Sequence, residues 1–420
     1  MCDVRQQFQC ETVTDIASTV RSELQKLELS SRVKPGDTVA IPAGSRGIAN
    51  IVDILAATVD HFVSLGARPF IVPAMGSHGG GTVDGQLKIL TGFGITQEAL
   101  GVPIRATMET VVVAETRNGL PVHFDRYAAE ADHVFVCNRV KPHTRFVGPI
   151  ESGLHKMMLI GLGKHNGAKI YHQGILEMSF PEIIESVAAK VLEVCNVIGG
   201  LAIVENALDE TGYLEAVRPE DFATREPELL QMANAGLPRL PFAECDLLIV
   251  DAIGKNISGV GMDANVVGRK FNDHKGTDQD LAQCRRIFVR SLTEETAGNG
   301  TGIGMAEFTT ERCVAQIDHE VTRINCITGL HPEAAMIPIT LPSDAAAVEA
   351  ALQTIGLVQP DAARVIQISD TLHLTHVRVS EAYLSEINRR PDLEVIRGPF
   401  EFPVDSGGEL SDVSSVPVSV

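Results

Sequence analysis

The chain contains 420 residues, of which 44% are hydrophobic and 21% are charged, and its formal net charge is −19. A chain of this length predicts two domains rather than one, and no apolar run is long enough for a membrane-spanning helix. The strong negative charge argues against nucleic acid and anionic membranes as partners.

The N-terminal sequence MCDVRQQFQCETVTD lacks the basic and apolar regions of a signal peptide. The eight cysteines form no CxxC pair, and several lie in apolar runs such as HVFVCNRV. This pattern is typical of reduced, buried thiols rather than of a disulfide framework or a zinc ribbon. We therefore expect a cytoplasmic protein.

From Asp37 onward the sequence alternates strand and helix patterns. DTVAIPAGS and PFIVPAMGS predict strands, and NIVDILAATVDHFVSLG and TVDGQLKILTGFG predict amphipathic helices. Later strands are predicted at ADHVFVCNRV, LAIVENAL, CDLLIVDAIG, RRIFVRSL and RVIQIS. The alternation predicts an α/β fold with mainly parallel sheets, in which ligands bind at the carboxyl ends of the strands.

The proline-rich stretch AGLPRLPFAE predicts a boundary between two α/β domains. We assign residues 1–238 to an N-terminal domain that carries the site residues, and residues 239–365 to a second domain. Residues 366–405 are expected to return and pack on the first domain, and residues 406–420 to form a mobile tail. We expect the active site in the cleft between the two α/β domains.

Two loops that follow predicted strands contain residues suited to binding an anion. In PAGSRG, Arg46 can grip a planar carboxylate with two parallel hydrogen bonds, although an arginine at a strand end is often only a surface residue. In GSHGGGT, three glycines can turn backbone N–H groups toward a ligand, and His78 lies there with little bulk around it. The motif is neither a P-loop nor a dinucleotide-binding fingerprint.

A third loop, KPHT, places His143 at another strand end, and SGLHKMMLIGLGKHNGAKIYH follows it. The apolar run after Lys156 is too hydrophobic for a solvated helix face. It would desolvate the amine, lower its pKa and favour a role as nucleophile or attachment point. The alternative is that the lysine stem reaches the surface past its apolar neighbours.

A fourth loop, DAIGKNISGVGMDANVVGR, carries Lys255 and could surround a phosphate or carboxylate, or could be an ordinary flexible connection. The sequence contains neither HExxH nor GxSxG, which argues against a metalloprotease or a serine hydrolase of the common types. Two other functions stay open from the residues alone. One is a zinc-dependent hydrolase using His78, His143 and His172, and the other is a non-catalytic protein that binds small anions.

The order and spacing of GSHGGGT, KPHT, SGLHK and IYH resemble the nickel-dependent lactate racemase family, the LarA-like proteins. The resemblance runs from about Pro42 through GKNISGVGMDANVVGR. It implies a nickel pincer nucleotide attached covalently to Lys156, with His172, sixteen residues later, as the nickel ligand. It also implies that His78 and His143 act as acid and base.

The same resemblance implies that Arg46 binds the substrate carboxylate and that Lys255 contributes from the second domain. Ser45, Gly79 and Gly80 are expected to contact the cofactor. The expected reaction is racemisation or epimerisation of a 2-hydroxy acid, with the C2 hydrogen moving as hydride because a carbanion beside a carboxylate is unfavourable. The partners implied are that small molecule and the proteins that make and insert the cofactor.

The chain departs from the family pattern at two positions. Where lactate racemase carries an aspartate three residues before its arginine, this chain has Ala43, and its lysine turn is SGL rather than SGG. These differences leave the cofactor attachment site in place but predict a different or larger 2-hydroxy acid as substrate. The oligomeric state is not indicated by the sequence.

Overall fold

The computed structural model describes residues 1–175 and 177–413, and for His172 it describes the backbone alone. The chain divides into two compact units. The N-terminal unit comprises Cys10–Leu237, and the C-terminal unit joins Met1–Gln9 to the described residues from Pro238 on. Each unit contains its own largely parallel sheet with interspersed helices, so the predicted α/β class is confirmed.

The strands occur in this order along the described chain: β1 (Cys2–Gln6), β2 (Thr38–Ala43), β3 (Arg68–Pro73), β4 (Thr110–Glu115), β5 (Pro121–Asp125), β6 (His133–Arg139), β7 (Val197–Glu205), β8 (Thr211–Val217), β9 (Glu244–Val250), β10 (Gln283–Val289), β11 (Phe308–Thr310), β12 (Ile339–Leu341), β13 (Val365–Ile368), β14 (His376–Val379) and β15 (Leu393–Arg397).

The α-helices alternate with these strands: α1 (Ile16–Gln25), α2 (Ile51–Ser64), α3 (Val83–Gly92), α4 (Gln97–Leu100), α5 (Arg126–Ala129), α6 (Leu154–Lys156), α7 (Lys164–Gly174), α8 (Phe180–Val194), α9 (Phe222–Ala235), α10 (Ala264–Val267), α11 (Glu311–Ala315), α12 (His319–Thr328), α13 (Asp344–Leu352) and α14 (Leu384–Ile387). A π-helical turn, Met157–Gly161, directly follows α6. Within the described ranges no helix is long and apolar enough to cross a membrane.

The sheet of the N-terminal unit has the order β3-β2-β6-β7-β8, with parallel pairing from β3 to β7 and an antiparallel β8 at the edge. Its strands are buried on both faces. Val39 and Ile41 pack with α1 and α2, whereas Ala40 belongs to the core cluster on the α8 side. Burial on both faces explains why these strands appear in the sequence as continuous apolar runs.

The sheet of the C-terminal unit has the order β12-β11-β10-β9-β13-β14-β1-β15. The strands from β12 to β13 pair in parallel, and β14, β1 and β15 pair antiparallel to their neighbours. Two predicted domain assignments are therefore wrong. Residues 366–405 supply β14, β15 and most of β13 to this sheet rather than packing on the first domain, and residues 1–9 supply β1. The cause is backbone pairing between strands distant in sequence, which hydrophobic patterns do not encode.

The predicted mobile tail is also partly wrong. Val404 and Leu410 form a β-bridge, and Leu410 and Val413 are buried. The Val413 N–H donates to Asp251 at 2.8 Å. The remaining residues of the predicted tail, 414–420, lie outside the described part of the chain.

Arg290 holds this C-terminal segment to the sheet. Its guanidinium contacts Asp251 at 2.7 Å, Asp344 at 2.8 Å and Asp412 at 2.6 Å, and it donates to the Leu410 carbonyl. Arg290, Asp251 and Asp344 are buried. A buried cation surrounded by several carboxylates is costly to remove because the carboxylates then repel one another in a poorly solvated site.

We predict that Arg290→Met lowers the free energy of unfolding by about 3–5 kcal/mol, as expected when one partner of a buried ion pair is lost. Urea unfolding of the full chain measures the change. Asp412→Asn is the matched control. Its side chain is more than half exposed (59%), so we expect a loss of about 0–1 kcal/mol. Equal losses for both variants would contradict this account of the network.

Candidate active site

The carboxyl ends of β2 and β3 place the first two predicted loops side by side. Ala43 and Pro73, the last residues of the two strands, are register partners. Beyond them, the Ser45 hydroxyl forms a hydrogen bond with Nδ1 of His78. Ser45 and His78 thus come together as predicted, with the His78 side chain exposed.

The glycines after His78 have different structural roles. Gly79 has φ +67°, and a Cβ there would lie 2.5 Å from the backbone of Gly85, so only glycine fits this close approach to α3. Gly80 also has φ +67°, but its Cβ position would have no described atom within 4 Å. Close packing therefore explains why residue 79 is a glycine, whereas the open space beside Gly80 is compatible with a bound ligand.

His143 follows β6, and its ring is held by its own loop. The backbone N–H groups of Arg145 and Phe146 both donate to Nδ1, at 3.2 and 3.1 Å. The His143 backbone N–H donates to the buried Glu151 carboxylate at 2.7 Å. The ring stacks on Phe146 with centroids 4.3 Å apart, and Phe146 stacks in turn on Phe180 at 3.8 Å.

Lys156 lies at the junction of α6 and the π-helical turn, a feature often found at functional sites. The turn is fixed from behind by Glu226. This carboxylate accepts from the His155 backbone N–H at 3.1 Å and contacts Nδ1 of the His155 ring at 2.7 Å. A side chain at Gly153, where φ is +128°, would collide with the Glu226 carboxylate at 2.3 Å. The SGL turn is therefore shaped by a buried partner from α9.

The surroundings of Lys156 favour its neutral form. Desolvation and the nearby Arg46 guanidinium lower the pKa of Lys156 to about 7, and the Glu151 carboxylate opposes part of that shift. The amine lies 5.9 Å from the Phe146 ring centroid, which places it near the His143 loop. A lysine with this pKa is about half in the neutral, nucleophilic form at neutral pH.

Arg46 contributes positive charge to the site and has no ion-pair partner among the described carboxylates. Desolvation and the neighbouring Arg139 lower the pKa of Arg46, although its side chain keeps contact with solvent. Because a guanidinium stays charged in proteins, this shift indicates an environment short of negative charge. Arg139 is already paired with Glu205, and no described carboxylate lies within ion-pair distance of Arg46. The arrangement suits a bound anion.

A buried ion pair that the sequence did not reveal supports the same loops. The Lys164 amine lies 2.9 Å from the Asp125 carboxylate and donates to the Pro73 carbonyl at the end of β3, and both charged side chains are fully buried. Burial lowers the pKa of Lys164 and raises that of Asp125, and the contact between them opposes both shifts. No local spacing signals this contact, because Asp125 comes from the distant β4–β5 hairpin.

His172 and Lys255 are the two remaining residues of the predicted site. His172 lies on α7, but its side chain is outside what the structure describes. Lys255 lies in the C-terminal unit after β9, where its amine donates to the Gly259 carbonyl at 2.6 Å. The glycines of its loop serve close packing: a Cβ at Gly254 would lie 2.0 Å from Thr293 and one at Gly261 would lie 2.2 Å from Thr301.

Comparison with known proteins agrees with this architecture. Residues 5–180 match the family model described as the lactate racemase N-terminal domain. The lactate racemase apoprotein from Thermoanaerobacterium thermosaccharolyticum is similar in fold, with 12% sequence identity and a TM-score of 0.53, over 88% of this chain and 94% of that chain. A protein from Thermotoga maritima has 11% identity and a TM-score of 0.48, over 68% and 72% of the two chains. No curated protein sequence matches the chain.

The structural likeness establishes the fold, and the family model covers the segment that contains Arg46, His78, His143 and Lys156. The matched segment is thus the one whose strand-end loops assemble the desolvated lysine, the unpaired arginine and the two histidines. Residues 5–180 are therefore similar to the lactate racemase N-terminal domain, and the likeness to the lactate racemase apoprotein shows the fold alone.

Proposed function

We propose that this protein is a racemase or epimerase of a 2-hydroxy acid that uses a nickel pincer nucleotide attached to Lys156. The observation that carries the proposal is the lowered pKa of Lys156, about 7, at a π-helical turn beside Arg46. The neutral form of the amine, which this pKa makes abundant at physiological pH, can attack an activated acyl or thioacyl group, which an ammonium group cannot do. The match of residues 5–180 to the lactate racemase N-terminal domain supports a racemase in general terms.

The residues around Lys156 fit such a cofactor. The amine is available for a covalent bond, and the open space beside Gly80 and the hydroxyl of Ser45 lie on neighbouring loops. We propose His172 as the nickel ligand because an imidazole suits nickel among soft donors and α7 begins just after the π-helical turn. Gly79 would support the cofactor site by letting its loop pack closely on α3, rather than by contacting the cofactor through its backbone N–H.

The chain's own residues would bind and orient the substrate. Arg46, which no described carboxylate pairs, would hold the substrate carboxylate with two hydrogen bonds. We propose that His78 and His143 exchange the hydroxyl proton as acid and base. The cofactor, when bound, would accept and return the C2 hydrogen as hydride. Holding the carboxylate keeps the reacting carbon in one position through both half-reactions.

We propose that the substrate is a 2-hydroxy acid other than lactate. Ala43 is buried at the end of β2, at the position where the family pattern has an aspartate. Its methyl group offers no hydrogen bond to a substrate, so a longer or differently substituted acid is the better match. We also propose Lys255, in the loop after β9, as a substrate-binding residue.

Two other functions would leave Lys156 unmodified. A zinc-dependent hydrolase would need His78, His143 and His172 around one ion, and a non-catalytic binder would use Arg46 alone. Neither would require the amine of Lys156 to be desolvated, which costs stability at neutral pH. The lowered pKa of Lys156 therefore favours the covalent cofactor over both.

We predict a nucleotide-sized adduct on the Lys156 peptide, together with bound nickel, when the protein is produced alongside the enzymes that make and insert the pincer cofactor. Intact and peptide mass spectrometry with nickel analysis measures both. Lys156→Arg should abolish the adduct, because a guanidinium is not nucleophilic. Lys169→Arg, at an exposed lysine of α7, should keep it. An unmodified Lys156 in a host that makes the cofactor would exclude the proposed function.

We predict that Lys156→Met stabilises the cofactor-free protein in a pH-dependent way. The pKa of Lys156, about 7 in the folded protein, lies below the value of about 10.4 in an unfolded chain. The unfolded chain therefore binds more protons between these pH values, and the destabilisation by Lys156 fades as pH rises. Urea unfolding should show a gain for the variant that is larger at pH 7 than at pH 9.5. Lys169→Met should show no such pH dependence.

We predict that Arg46→Lys weakens binding of 2-hydroxy acids by about tenfold to a hundredfold. The positive charge stays, but the two parallel hydrogen bonds from the guanidinium to the carboxylate are lost. Calorimetric titration of the cofactor-loaded protein, or the KM once a substrate is identified, measures the effect. Arg145→Lys is the control because Arg145 is exposed. Unchanged affinity in Arg46→Lys would remove Arg46 from the substrate site.

A further inference from the structure

Strand β12 lies at the edge of the C-terminal sheet with one side open. It pairs in parallel with β11, and no other described strand pairs with it. On the β11 side, the Ile339 N–H donates to the Glu307 carbonyl at 3.1 Å. Because successive residues of a strand direct their backbone groups to alternate sides, the N–H and C=O of Thr340 face the open side. An open edge of this kind is a template for pairing with another strand.

The usual protections of an edge strand are missing within β12. Sheet edges are commonly blocked by charged side chains, by proline or by bulges. Residues 334–343, AAMIPITLPS, contain no charged side chain, and the register with β11 runs from Ile339 to Leu341 without a bulge. Pro338 and Pro342 lie just outside the strand, so they limit pairing to the three residues between them.

Exposed apolar side chains are concentrated in the segment that leads to β12. Of the eighteen large hydrophobic side chains that are exposed in the described chain, seven lie between Val321 and Ile339. Ile339 itself is 63% exposed and lies on the same face of the sheet as Leu341. Leu341 packs on the core cluster that contains Ala347 and Val348 of α13. Such a concentration of exposed apolar surface marks an interaction site.

The three residues of β12 complement a second copy of themselves. A two-fold axis at Thr340 makes two antiparallel β12 strands face each other, with the two Thr340 residues as a hydrogen-bonded pair in which each N–H donates to the other C=O. The same axis sets Ile339 of one copy opposite Leu341 of the other, as a closely spaced pair. The apolar cluster on the α13 face then continues from one copy into the other. A contact of this isologous type closes with two copies.

We propose that β12 is a dimerisation strand, through which two copies of this chain pair antiparallel about a two-fold axis at Thr340. A second copy is favoured over an unrelated peptide because one set of backbone groups and one pair of apolar side chains satisfies both partners. The uncharged segment 334–343 also adds no repulsion between two copies of an acidic chain. The pairing surface is small, so we expect a dissociation constant in the micromolar range. No residue of the candidate active site takes part, and the inference is therefore independent of the proposed function.

Analytical ultracentrifugation of the full chain from about 1 to 200 µM, a range around a micromolar dissociation constant, tests the proposal. We expect the wild-type chain to pass from monomer to dimer over this range. Thr340→Pro should stay monomeric, because proline removes the N–H that faces the second copy but keeps the bond that Ile339 makes to the β11 side. Thr340→Ala, which keeps the N–H, should dimerise as the wild type does.

A second pair of variants tests the side chains at the edge. Ile339→Lys should raise the dissociation constant by about tenfold or more, since a charge replaces the apolar contact with Leu341 of the second copy. Leu357→Lys is the matched control. Leu357 is 98% exposed and lies outside the segment that leads to β12, so the same change of charge should leave the dissociation constant unaltered. Urea unfolding checks that every variant is folded.

Hydrogen exchange at the Thr340 amide gives an independent measure, because this N–H has no acceptor among the described residues of a single chain. We expect its exchange to slow at concentrations where the dimer predominates. A chain that stays monomeric over the whole range, as expected if the edge binds a different protein, would overturn the proposal. A dimer that persists in folded Thr340→Pro, or fast exchange of the amide in the dimer, would also overturn it, because either result places the interface elsewhere.

Discussion

The candidate site depends on desolvation of one lysine amine that has no ion pair among the described residues. Desolvation around Lys156 and repulsion from Arg46 lower its pKa to about 7. The helix widens into a π-helical turn directly after this residue. Gly153 and the buried Glu226 hold the turn in place. The position of Lys156 therefore depends on the packing behind its turn.

A comparison of two lysines in the same segment shows how much the partner matters. Lys164 is more deeply buried than Lys156, yet Asp125 lies 2.9 Å from its amine and offsets the desolvation. Such a pair is structural: it ties the end of β3, which leads to the His78 loop, to the start of α7. Lys156 has no described ion pair, and Glu151 opposes only part of the fall in its pKa, so part of the desolvation penalty remains.

The two histidines likewise differ in the hydrogen-bond partners that surround them. Both follow strands of the same sheet, and in the sequence both are strand-end histidines in polar loops. The Ser45 hydroxyl beside His78 can donate or accept a hydrogen bond, whereas the two backbone N–H groups beside His143 can only donate. Residues of one type thus acquire different chemical capacities from the hydrogen-bond partners that the fold supplies.

The sequence by itself determined the α/β class, the strand-end positions of Arg46, His78, His143 and Lys156, and the resemblance to the LarA-like family. These features are local: apolar strands followed by polar, glycine-rich loops can be recognised without tertiary contacts. Tertiary structure alone decided that β1 and β13–β15 join the C-terminal sheet, that residues 406–413 are packed rather than mobile, and that Asp125 meets Lys164. Each depends on pairing between residues far apart in the chain, and only the folded chain brings those groups within hydrogen-bonding distance.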